Sequence, residues 1–203
     1  MDEKPKIKIE LTKFDLIVEI ISVIFLLLFW FLTISGYPNL PEMIPINYNF
    51  FTNEVYNYED KSFIFLLPIT ATVLYVIMII QNKFPHIFNY SVDITPENAL
   101  QQYTMVTKLI RFTKLNAIIT LSLGYFAIVE YNNKQFLQWI PLVIHILVFI
   151  PILVYFIAVY RSSKKAVIEK VERRLYYSIL LLFFVFISII IMMAINHNIQ
   201  LKI

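Results

Sequence analysis

From Leu16 to Ser35 the chain runs for twenty residues with a single charged side chain, Glu19. A helix rises about 1.5 Å per residue, so about 20 mostly apolar residues cross the ~30 Å hydrocarbon core of a bilayer. Three further runs pass the same test: Phe63 to Ile80, Phe136 to Tyr160 and Leu175 to Ile195. Another, Leu115 to Val129, is shorter and carries Asn116, Thr120, Ser122 and Gly124. Its start is placed nearer Leu109, with Arg111 and Lys114 reaching back to the headgroups along their methylene stems. The expected fold is all-α, an integral membrane bundle of about five transmembrane helices. Residues 1–160 would form a four-helix membrane domain, and residues 161–203 a basic connector with the fifth helix.

Composition agrees. Hydrophobic residues make up 59% of the chain and charged residues 15%, against about 25% charged in soluble domains. The first run is longer than the 7–15 apolar residues of a cleavable signal, so it reads as a retained helix. Its start carries a capping-box variant, Thr12 with Asp15 three residues on, flanked by Leu11 and Leu16 as a hydrophobic staple. Pro68, Pro141 and Pro151 fall in or near spans, where neighbouring groups satisfy the carbonyls that proline frees.

Lysine and arginine concentrate on the cytoplasmic side of membrane proteins. Segments 1–14, 82–114 and 161–174 hold four, four and six of the 17 basic residues, and only Lys61, Lys134 and Lys202 lie elsewhere. Five spans place all three rich segments on one side. The expected topology has the N-terminus in the cytoplasm and the C-terminus outside, in a cell membrane.

The outer loop 36–62 carries Glu42, Glu54, Glu59 and Asp60 against Lys61 alone, with Pro38, Pro41 and Pro45 fixing φ in its first half. It is crowded with aromatics and asparagines, and Pro45, Asn47, Tyr48, Asn49, Phe50, Phe51, Tyr56 and Tyr58 are candidates for a recognition surface. The same aromatics would also suit a belt in the headgroup layer. On the inner side, Thr95, Pro96 and Glu97 are the expected start of an amphipathic helix that leads into the third span. Lys108 and Arg111 on that helix would snorkel or meet anionic lipid. Lys165, Glu169 and Arg173 at i, i+4 spacing predict a helical connector before the fifth span. Ile7, Ile9 and Leu11 alternate with polar residues, as do Val92 and Ile94, so two short cytoplasmic strands could pair there.

Chemistry is sparsely represented. The chain has no cysteine and two glycines, which excludes disulfides, thiolate catalysis and phosphate-cradling glycine loops. The three histidines, His86, His145 and His197, have no metal-ligand spacing. A net charge of +3 gives no support to a nucleic-acid partner. No enzyme, cofactor or metal is expected, and membrane lipid is the expected surrounding. Glu19 and His145 lie within spans, where ionisable groups normally face the bundle interior. His145 is a candidate intramembrane polar site; the alternative is a neutral ring bonded to a hydroxyl such as Thr70 or Thr120.

Two stretches carry a resemblance. The first is Tyr37-Pro38-Asn39-Leu40-Pro41-Glu42-Met43-Ile44-Pro45 with Tyr48-Asn49. The second is Phe84-Pro85-His86-Ile87-Phe88-Asn89-Tyr90 with Ile94-Thr95-Pro96-Glu97-Asn98-Ala99 and Gln102-Tyr103. With the opening Lys6-Ile7-Lys8-Ile9, they resemble domain-of-unknown-function family 1648, which also occurs in bacterial SdpI-like immunity membrane proteins, over roughly residues 4 to 160. The chain departs from that pattern in the outer loop: Asn47 stands where the family has His, Thr52 near its Gly, and Glu54 or Val55 near its Asp. The resemblance implies immunity to a secreted toxin peptide, or sensing, at the outer face. A small transport or permease component is the alternative.

Overall fold

The fold is that of a computed structural model, which describes residues 4–48, 54–90, 93–131, 139–140, 142–144, 146, 149, 153–154 and 157. The chain divides into two compact units, Met1–Tyr155 and Phe156–Ile203, and the described residues apart from Ile157 belong to the first. Of the expected fourth span, residues 140, 142–144, 146, 149 and 153–154 are helical. His145, Pro141, Pro151, the connector 161–174 and the fifth span lie outside the described residues.

Among the described residues, three helices are long and apolar enough to cross a membrane, which is compatible with a membrane location. Helix α1 spans Lys13–Gly36, α2 spans Leu66–Lys83 and α3 spans Ala99–Val129. A short 3-10 stretch, Lys61–Phe65, leads into α2. Helix α1 begins on the expected capping box: Thr12 Oγ1 accepts from the Asp15 N–H at 3.2 Å, and the Asp15 carboxylate accepts from the Thr12 N–H at 2.9 Å. This satisfies two donors that would otherwise be orphaned at the helix start. Leu11 and Leu16, the expected staple, are both exposed. Pro68 sits in the first turn of α2, where no intrahelical N–H is needed.

The chain is mostly helical but not all-α. Within the loop 36–62 lies an antiparallel hairpin, β1 (Met43–Tyr48) with β2 (Val55–Asp60). Pro45 pairs with Tyr58, and register shifts follow on either side of Asn47. A proline inside Met43–Tyr48 argues against a strand by pattern alone, yet this is an edge strand where it is tolerated. Helix α3 also starts later than expected. Thr95 to Asn98 form a turn, with Asn98 Oδ1 accepting from the Thr95 N–H at 2.9 Å, and the helix begins at Ala99.

Helix α3 is the enclosed one: 61% of its most apolar window is buried, against 33% in α1 and 17% in α2. At about 1.5 Å per residue its 31 residues reach about 46 Å, so the amphipathic helix and the third span are one continuous rod. Its polar residues follow from this position. A helix packed among others exposes little to lipid, and Asn116 and Ser122 are buried there. Between helices in lipid the driving force is packing and polar contact rather than hydrophobic transfer. Helices α1 and α3 run parallel, as matched contacts along both lengths require. Phe14 stacks on Phe112 at 6.2 Å near one end. Near the other, the Tyr125 hydroxyl donates to the Leu32 carbonyl at 3.0 Å and its ring meets Phe29 edge-on. A Cβ on Gly36 would lie 2.4 Å from that hydroxyl, so the approach depends on glycine. Helix α2 joins through Trp30 Nε1, which donates to Thr72 Oγ1 at 3.0 Å.

Candidate functional site

The bundle places polar chemistry at two opposite ends. The first lies where the start of α1 packs against the middle of α3. Asp15 and Glu19 are one turn apart on α1, and Arg111 and Lys114 one turn apart on α3. Arg111 Nη1 lies 3.3 Å from Asp15 Oδ1, and Arg111 Nε lies 3.4 Å from Glu19 Oε1. The Lys114 ammonium donates to Glu19 Oε2, and it also sits 4.7 Å from the centre of the Tyr75 ring of α2. The Lys114 side chain is fully enclosed, and those of Asp15 and Arg111 nearly so. Two acids and two bases cancel, so the cluster is formally neutral. Asp15 divides its oxygens: Oδ2 holds the cap through Thr12, and Oδ1 meets Arg111.

This corrects the expectation for α3. Arg111, Lys114 and also Lys108 are buried, not extended to the headgroups. Snorkelling leaves a cation in water; here carboxylates on α1 at the same depth take that place. The pairing was legible in principle, because opposite charges of i, i+4 and i, i+3 spacing fall at the same end of two spans. Glu19 faces the bundle interior as expected.

The tail is fixed beneath this cluster. Lys4 Nζ donates to the Phe88 carbonyl at 2.5 Å and lies 5.4 Å from the Tyr90 ring centre. The Tyr103 hydroxyl donates to the Pro5 carbonyl at 3.0 Å, and Tyr90 packs on Tyr103 at 5.6 Å. The tail therefore meets Phe88, Tyr90 and Tyr103 through side chains; among the described residues no strand ladder joins the tail to Ile94, and Val92 lies outside those residues.

The hairpin forms the other end. Its base is clasped twice by Glu42 and Lys61, with the Lys61 N–H on the Glu42 carbonyl at 2.9 Å and the two side chains paired at 2.8 Å. Lys61 also lies over the Tyr37 ring at 5.4 Å, and Tyr37 packs on Phe65. Hydrogen bonding from the Ser62 side chain, and from the Ser62 N–H to Asp60 Oδ1 at 2.8 Å, holds the Asp60 carboxyl below the usual aspartate range.

The sequence candidates divide here. Tyr56 and Tyr58 are exposed, at 62% and 45%, and Asn47 is exposed as well. Pro45 is buried, so it supports the hairpin instead of offering a contact surface. Tyr48 ends β1, while Asn49, Phe50 and Phe51 lie outside the described residues. Among the described residues no group of acids and histidines could hold a metal ion. Comparison with known protein families, with curated proteins and with solved structures finds no match.

Proposed function

We propose that this chain is a non-enzymatic, multi-pass membrane protein whose hairpin end meets a cationic peptide outside the cell. The observation that carries the reading is the hairpin itself. A pair of strands alone is marginal in water, yet this one is clasped at its base and presents Tyr56 and Tyr58 outward. Aromatic side chains give large contact area at low entropic cost and dominate binding hot spots. The acids around them steer a cation toward the surface.

In this reading the N-terminus is cytoplasmic, five spans place the C-terminus outside, and the buried cluster is the fastening that holds α1 to α3. The basic-residue asymmetry supports the orientation. Immunity to a secreted toxin peptide is the role that the resemblance to family 1648 adds. The test replaces Tyr56 and Tyr58 together with serine. Membrane expression and survival of cells challenged with cationic membrane-active peptides are then measured. Normal expression with lost protection supports recognition. Unchanged protection removes the hairpin from the mechanism.

A further inference from the structure

The open edge of β2 carries more information than its side chains. The Lys61 N–H bonds to the Glu42 carbonyl, which makes Glu42 and Lys61 a hydrogen-bonded pair. Antiparallel pairing alternates bonded and non-bonded pairs. By the observed register, Met43–Asp60 is non-bonded, Ile44–Glu59 bonded and Pro45–Tyr58 non-bonded. Pro45 thus falls where the hairpin needs no N–H from it. In non-bonded pairs the backbone N–H and C=O face away from the partner strand. Tyr58 therefore aims its N–H and C=O at the outer edge of β2, and Asp60 aims its N–H there, its C=O being taken by the first turn of the 3-10 stretch that it caps. Met43 and the Pro45 carbonyl face the outer edge of β1.

The two edges are not equivalent. On β1, Pro45 lacks a donor and is buried, and that strand lies against α3. Proline is one of the devices that blunt an edge. On β2, neither outward residue is a proline, both side chains are exposed, and among the described residues no third strand pairs there.

Charge separates the edges further. Glu42 and Lys61 neutralise each other at the clasp. The other acids of the loop, Glu54, Glu59 and Asp60, lie on or beside β2, and the formal charge of the loop is −3. Opposite charges across neighbouring strands stabilise, and like charges directly opposite destabilise.

We propose that β2 takes an extended cationic peptide as a third strand, by main-chain hydrogen bonds to Tyr58 and Asp60. This deepens the hairpin reading above and rests on it. Addition of a strand to an open edge draws affinity from main-chain bonds and specificity from alternate side chains. Tyr56, Tyr58 and Asp60 share one face of β2 and Glu59 lies on the other. The tyrosines therefore cover the guest's apolar side chains on one face, while Glu59 favours lysine or arginine on the other and Asp60 favours one at the end of the tyrosine face. A second copy is a poor guest, because two such edges would set −3 against −3.

The test uses the whole protein in lipid nanodiscs. The probe is an acetylated peptide of alternating valine and lysine as long as β2, six residues, with a second version N-methylated at every residue. Charge and side chains are the same in both, but the second cannot donate main-chain hydrogen bonds. Strand addition predicts that the parent binds and that methylation weakens it about tenfold or more, because buried acceptors lose their donors. Equal binding of both overturns strand addition and leaves the hairpin reading standing. Binding of neither overturns both. A protein that is dimeric until the parent peptide is added would put a second copy on the edge and overturn the assignment to a cationic guest.

Discussion

Replacing Glu19 with leucine should destabilise the bundle far more than replacing Lys114 with methionine, although the two side chains form one ion pair. The asymmetry comes from burial. The Lys114 side chain is fully enclosed and the Glu19 side chain is 25% exposed. Without Glu19, the Lys114 ammonium keeps the Tyr75 ring but has no carboxylate among the contacts described. A buried charge stripped of its partner costs about 3–5 kcal/mol. Without Lys114, the Glu19 carboxylate keeps Arg111 Nε at 3.4 Å and some water, so the expected loss is about 1–2 kcal/mol. The double variant removes both charges and fills the site with apolar groups. It should recover about 2 kcal/mol or more relative to Glu19→Leu alone, since a buried pair replaced by hydrophobes is often neutral. Equilibrium unfolding in mixed micelles titrated with SDS measures all three. Single losses below about 0.5 kcal/mol, with an additive double variant, would mean that the pair is not energetically coupled.

At the other end of the α1–α3 contact, Gly36→Ala should cost about 1–3 kcal/mol through overpacking against the Tyr125 hydroxyl. Combining it with Tyr125→Phe should restore much of that loss in the same unfolding assay. The Asp60 carboxyl is held below its usual range, so its contribution to the hairpin junction is fully present above about pH 3.9. It is lost as pH falls through the lower folded value, and Asp60→Asn should abolish that acid-limb transition in hydrogen exchange at the Ser62 amide. Reporter fusions after residues 60, 90, 134, 168 and 203 should alternate out, in, out, in, out, and a cytoplasmic C-terminal reporter would contradict the orientation.

The first two spans and the capping box at Thr12 and Asp15 were legible because each depends on local pattern alone. Helix α3 was harder for a reason that belongs to its position. Lys108, Arg111, Asn116 and Ser122 weaken its apolar signal because they face other helices, and hydropathy registers composition without knowing what a face packs against. The third span by itself carries no partner for Arg111 and Lys114. Asp15 and Glu19 of the first span, of opposite charge and matching spacing, are the sequence signal for the cluster. The hairpin was hidden by Pro45 and by the asparagines of the loop. Its signal was Val55-Tyr56-Asn57-Tyr58, rich in strand formers, which the loop's turn residues outweighed. In the tail, alternation at Ile7 and Ile9 suggested strand pairing. Lys4 and Tyr103 instead tie the tail through side-chain bonds to backbone carbonyls, and sequence periodicity carries no trace of such ties.

Photo-crosslinking tests whether the hairpin end meets a cationic peptide. A lysine-rich peptide bearing a diazirine is added to the protein in nanodiscs, irradiated, and the attachment sites are mapped by mass spectrometry. If the hairpin binds the peptide, adducts fall within residues 54–60 and are reduced by an excess of unlabelled peptide and by high salt. Competable adducts confined to the opposite end, around Lys4 to Glu10 and Phe84 to Tyr90, would contradict that binding.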